Sequence, residues 1–173
     1  MSHHHWHGGA IAFVGGFGDS TLQSLFRSGL MASAAAAYAD QFGGNVGYFT
    51  YDQADDLKAW VQQNGGHVTV IGQSFGAETA AQLAASGVHI DTLVTLDPVG
   101  SVANLSQVSA NSGQWLNFVA AGGGLTLPNA IAAIGGAWGN ITQGYATRTI
   151  DVNVDHAGIA GSDMMKSLLG IVY

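Results

Sequence analysis

Cysteine is absent from the 173-residue chain, which removes disulfides, thiolate metal sites and a cysteine nucleophile and leaves the compartment undecided. Positive charge is almost as scarce. Arg27, Lys58, Arg148 and Lys166 stand against 11 acidic residues, for a formal net charge of -7, so the clustered Lys and Arg that nucleic acid requires are missing. Apolar residues make up 47% of the chain, but Gly and Pro break them up before any run reaches the roughly 18 residues of a membrane span. A basic start followed by an apolar stretch and a small-residue cleavage site is also missing, so a cytoplasmic protein without transmembrane segment is expected. With only 9% charged residues, the surface must be made of Ser, Gln, Asn, Thr and Gly. It raises few electrostatic barriers to an uncharged small molecule.

What is present begins with His3, His4, His5 and His7 around Trp6. A histidine run of this kind can chelate a transition metal, but residues 1–8 read as a tag or disordered tail and are set apart from the fold. The length that remains, 9–173, suits a single domain. Ala10 to Val14 is a short apolar run closed by Gly15-Gly16-Phe17-Gly18 and followed by helical spacing from Thr21 to Phe42, which reads as one βα unit. The pattern recurs. Strands are expected at Val46 to Thr50, His67 to Ile71, Ile90 to Leu96, Trp115 to Ala120 and Arg148 to Val154, with helices at Gln53 to Gln63, Ala77 to Ala85 and Ser162 to Leu169. Strands that alternate with helices and read as continuous apolar runs indicate a doubly wound α/β fold, its sheet mostly parallel and covered on both faces. In such a sheet, functional groups collect at the carboxyl ends of the strands. Gly100 to Gly113 has room for a short helix, and Gly122 to Ala146 reads as either a lid or a connecting loop.

Gly72-Gln73-Ser74-Phe75-Gly76 matches G-x-S-x-G, in which a serine on a sharp strand-to-helix turn presents its hydroxyl at the top of the sheet. Side chains two positions before and after would collide, hence the two glycines. In a chain with 26 glycines the pentapeptide alone says little. Its weight comes from context: a β-branched run precedes it and a small-residue helix follows. Ser74 is therefore the candidate nucleophile.

A serine hydroxyl needs a base, usually histidine. His67 and His89 each precede a strand and so fall at the amino edge, opposite Ser74, as do His3 to His7. Only His156 follows a strand on the carboxyl edge, and it is the candidate base. The carboxylate that orients it is sought at the same edge. Asp97 closes the fourth strand, and Pro98, which has no N–H to donate, ends the ladder there. Asp155 is second choice, because side chains adjacent in sequence usually diverge. Asp151 lies inside a strand, and Asp19 suits a helix cap. An oxyanion would be held by the Phe75 N–H, at a helix N-terminus, and by a donor in Gly16-Phe17-Gly18, with Phe17 the residue assigned.

Phe17, Ser74, Asp97 and His156, in the chain order Ser, Asp, His, resemble the α/β-hydrolase superfamily, as a minimal member. The resemblance implies that the six strands match the family's third to eighth, giving the spatial order 2-1-3-4-5-6. It places the acid after the family's sixth strand, where many members carry it after the seventh, and Val14-Gly15-Gly16 stands where a histidine usually precedes the oxyanion glycine. The function it implies is that of a small serine esterase or lipase acting through an acyl-enzyme on uncharged short- to medium-chain esters, with no metal and no cofactor. A thioesterase or amidase using the same triad, or a catalytically silent fold that binds ligands, is the alternative.

Overall fold

Short aliphatic and β-branched runs, each closed by a glycine, a proline or a polar turn, form six strands: β1 (Ala10–Gly15), β2 (Asn45–Thr50), β3 (Val68–Gln73), β4 (Ile90–Leu96), β5 (Ser112–Ala120) and β6 (Arg148–Val152). Between and after them run helices α1 (Leu30–Phe42), α2 (Ala54–Gln63), α3 (Phe75–Ala85), α4 (Leu105–Ala110) and α5 (Ser162–Leu169). The computed structural model describes residues 9–16, 30–101, 104–122, 138, 142–156, 159 and 161–171. All strands belong to one sheet of order β2-β1-β3-β4-β5-β6, as expected. Every pairing is parallel.

Alternation along each strand divides the core in two. Ala12, Val14, Val70, Leu93 and Trp115 face Leu57 and Val61 of α2, Ala80, Ala81 and Ala84 of α3, and Val108 of α4. On the other face, Ile11, Phe13, Ile71, Val94, Leu96 and Phe118 meet Met31, Ala34, Ala35 and Tyr38 of α1 and Met165 and Leu169 of α5. Helices therefore cover both faces, and each large aliphatic side chain buried here contributes roughly 1.5–3 kcal/mol. The alanines of α3 let its backbone sit close to the sheet. That closeness matters for the turn preceding it.

Boundaries differ from the sequence reading where pairing or the site overrides composition. β5 starts at Ser112, ahead of the apolar Trp115, because Ser112 is in register with Ile90 at the start of β4. β6 ends at Val152, and the Val154 N–H turns back to the Val152 carbonyl. Gly100 to Gly113 contains α4, whose cap residue Asn104 accepts from the Gln107 N–H through its side chain. The first helix is described from Leu30 onward, so its expected start near Thr21 lies outside the described residues, as does most of 122–146.

A row of hydrogen bonds crosses the sheet below its carboxyl edge, where Thr95, Asn117 and Thr149 are in register. Trp115 Nε1 donates to Thr95 Oγ1 at 2.9 Å, Thr95 Oγ1 donates to Asn117 Oδ1 at 2.7 Å, and Asn117 Nδ2 donates to Thr142 Oγ1 at 2.9 Å. Thr142 Oγ1 is also hydrogen-bonded to Thr149 Oγ1, 2.9 Å away. Thr95, Asn117 and Thr142 are fully buried, so each polar atom depends on its neighbour. Asn117→Ala would strand the Thr95 hydroxyl and deprive Thr142 of its donor. It is expected to lower unfolding free energy by about 2–4 kcal/mol, measured by urea denaturation.

At the amino edge, Asp91 joins two loops, accepting from His89 Nε2 at 2.8 Å and His67 Nδ1 at 3.3 Å. Burial pushes the carboxyl up, but the hydrogen bonds from His89 and His67 and their charge outweigh it and hold it below its ordinary value. The folded value being the lower one, the stability that this clasp adds is present above the unfolded carboxylate value of about 3.9 and lost as pH falls through the folded value. The side chain is 47% exposed, and solvent screening keeps the effect small. In urea titrations between about pH 6 and pH 2, Asp91→Asn should lose less stability than wild type on the acid side, below about pH 4.

Candidate active site

β3 ends and α3 begins with no intervening loop, and Ser74 is the single residue between them. Its backbone lies at φ 61 and ψ -125, a region that costs a residue with a Cβ about 1–3 kcal/mol. Four backbone hydrogen bonds hold it there. The Ser74 N–H donates to the Leu96 carbonyl at 3.0 Å, while its carbonyl accepts from Ala77, Glu78 and Val99 at 3.1, 3.3 and 3.2 Å.

Steric fit accounts for the glycines around this turn. A Cβ on Gly72 would lie 2.6 Å from the Gly76 carbonyl oxygen and 2.7 Å from Ala77 Cα, and one on Gly76 would run into the Val14 carbonyl of β1. The collision foreseen across the pentapeptide is thus partly with β1. Gly16 completes the contact, since a Cβ there would sit 2.8 Å from Ser74 Cβ. Gly16, the residue that follows β1, therefore lies directly against the serine.

Three side chains converge at the carboxyl edge. His156 Nε2 is 2.7 Å from Ser74 Oγ, and His156 Nδ1 is 2.5 Å from Asp97 Oδ2. An ionised carboxylate only accepts, so Nδ1 carries the proton toward Asp97 and Nε2 presents its lone pair to the serine hydroxyl. Each of the three residues is 7% exposed. At that burial the contacts act in a medium far less polarisable than water.

Asp97 owes its place to β5 as much as to β4. It leaves the ladder at φ 48, its N–H donates to the Phe118 carbonyl at 2.7 Å, and its Oδ1 accepts from the Ala120 N–H at 3.1 Å. One carboxylate oxygen is thereby fixed and the other left for the imidazole. Beside the turn, the Phe75 and Tyr51 rings lie 5.8 Å apart, and Thr79 Oγ1 donates to the Tyr51 carbonyl at 2.6 Å. They put apolar surface next to Phe75, whose N–H opens α3.

The remaining candidates separate by edge. His67 and His89 are exposed at the amino edge, bound to Asp91. Asp151 is exposed on β6, and Asp155 is half-buried next to His156. Phe17, Asp19 and the histidines of 1–8 lie outside the described residues. Two groups at the site have no sequence signal: the Ala120 N–H is backbone, and the amide of Gln73, which donates to the His156 carbonyl at 3.2 Å, occupies a position that the motif leaves open. Among the described residues, no group of three or more His, Asp or Glu side chains is arranged to hold a metal ion, and no helix is long and apolar enough to cross a membrane.

No family model matches the chain, and no curated protein matches it. Among solved structures, the esterase domain of a protein from Rhodothermus marinus is similar, with a TM-score of 0.60 and 14% identity over 95% of this chain and 86% of that one. At that identity the likeness is one of fold.

The contact at Gly16 yields a direct test. Gly16→Ala must displace Ser74 or the β1 loop, and the overpacking should cost about 1–3 kcal/mol of unfolding free energy in a denaturant melt.

Proposed function

We propose that the protein is a serine carboxylic ester hydrolase, a minimal member of the α/β-hydrolase superfamily whose catalytic domain is residues 9–173. The observation that carries this reading is the unbroken chain from Ser74 Oγ through His156 to Asp97, with contacts of 2.7 and 2.5 Å, mounted on a strained turn. Likeness of fold to an esterase domain from Rhodothermus marinus supports it.

In this mechanism Ser74 Oγ attacks the ester carbonyl carbon while His156 Nε2 takes the hydroxyl proton, and Asp97 stabilises the imidazolium that forms. The charge that develops on the carbonyl oxygen is met by the Phe75 N–H at the N-terminus of α3, joined by Phe17 from the β1 loop. Each such donor is worth roughly 3 kcal/mol in the transition state. Collapse of the tetrahedral intermediate breaks the C–O bond to the alcohol, which leaves with the proton from His156. Water then repeats the sequence: His156 accepts its proton, hydroxide adds to the acyl carbon, and Ser74 departs reprotonated.

Substrate class follows from charge. Four Lys and Arg in the whole chain offer little to a carboxylate or a phosphate-bearing acyl carrier, whereas the Tyr51–Phe75 surface suits an apolar group. Uncharged esters with short to medium acyl chains fit this site best, and no metal or cofactor takes part in the chemistry.

A fluorophosphonate probe should label wild type and leave folded Ser74→Ala untouched; labelling of that variant, or no labelling of wild type, would remove Ser74 as nucleophile. Asp97→Asn, which presents an amide donor to Nδ1 and so favours the wrong tautomer, should lower kcat by roughly 10⁴. Rates on matched oxygen ester, thioester and amide series of increasing acyl length then decide the bond cleaved.

A further inference from the structure

We propose that Gln73 is a positioning residue that holds the histidine loop against the nucleophile. The proposal deepens the hydrolase reading and rests on it for its kinetic consequence, while the mechanical link stands on geometry alone. Gln73 is the last residue of β3, in register with Leu96 of β4, whose carbonyl receives the Ser74 N–H. Its backbone is therefore locked into the same turn as the serine. Alternation along β3 puts its side chain on the face of Ile71, the face covered by α1 and α5. From there Nε2 donates to the His156 carbonyl at 3.2 Å, across 83 residues of sequence. A carbonyl only accepts, so the contact dictates which way the amide is turned.

The link matters because of where His156 sits. β6 is an edge strand, paired on one side with β5. Beyond it, the Gly122 N–H donates to the Val154 carbonyl at 2.9 Å. Two residues later the imidazole must meet Ser74 and Asp97 with an error well below 1 Å, since misplacement on that scale can cost about a hundredfold in rate. The Gln73 amide ties the backbone of His156 to the centre of the sheet, so the residue beside the nucleophile sets the height of its base.

Gln73→Met keeps length and bulk and removes the amide. It should lower kcat on a p-nitrophenyl ester about tenfold, with KM nearly unchanged and the fluorophosphonate labelling rate falling in parallel. Gln114→Met is the control, since that amide binds Thr92 away from the site, and it should leave both rates as in wild type. Gln73→Glu adds a signature that mere loss of packing would not produce. The introduced carboxyl can donate to the His156 carbonyl when protonated and repels it when ionised, so the ratio of variant to wild-type rate should rise as pH falls from about 8 to 5. A low-field proton resonance from His156 Nδ1–H, observable without substrate, should be sharp in wild type and broadened in Gln73→Met. Wild-type kcat and an unchanged resonance in Gln73→Met, or a flat ratio in Gln73→Glu, would overturn the proposal. Should wild type cleave no ester, the esterase reading falls and the resonance alone decides: broadening in Gln73→Met supports the positioning role, and its absence refutes it.

Discussion

The backbone of Ser74 is the point to which the rest of the structure is fitted. A side-chain-bearing residue at φ 61 and ψ -125 relaxes unless its surroundings leave it no alternative. Here β1, β3, β4 and α3 all close on it: Gly16 lies against it without a Cβ, Gly72 and Gly76 let β3 and α3 meet within one residue, and Leu96 and Val99 bind its N–H and carbonyl. Because those contacts come from separate strands, a shift of β4 against β3 would release the strain and lose the turn. The sheet register and the reactive geometry are the same constraint.

From that turn the order extends sideways along the carboxyl edge. Asp97 continues from β4 but is oriented by β5, through Phe118 and Ala120, and His156 arrives from beyond β6. One layer below, the Thr95–Asn117–Thr142–Thr149 row runs through the same strands. Buried hydroxyls and amides tolerate no change of register, since a slip leaves a donor or acceptor without water or partner. Apolar packing alone would hold β4, β5 and β6 together; the polar row also specifies how they align. Alignment is what places an acid from one strand and a base from another within 2.5 Å.

Charge is distributed in keeping with this division. At the carboxyl edge Asp97 and His156 are buried and in contact with each other, whereas the amino edge has the exposed His67–Asp91–His89 clasp. The same residue types thus do different physical work at the two ends of the strands. Burial makes Asp97 and His156 dependent on each other, and solvent leaves the clasp weak and responsive to acid.

Much of this was legible in order and composition. Apolar runs cut by Gly-Gly and Pro gave every strand, since a parallel sheet buries both faces and needs no alternation. Position before or after a strand sorted His156 from His67 and His89, because strand direction alone assigns an edge. The polar start of β5 was not legible, as Ser112 enters the ladder only because Ile90 lies opposite. α4 was legible only as room for a short helix within Gly100 to Gly113; its six residues and the Asn104 cap were not. What the sequence by itself determined was the list of parts and the edge each belongs to, properties of local pattern and chain direction. What only the tertiary structure decided was which parts touch: Asp97 rather than its neighbours in reach of Nδ1, the Ala120 N–H on its second oxygen, and Gln73 on the histidine backbone. Those contacts depend on lateral register between strands distant in the chain, which no local pattern encodes.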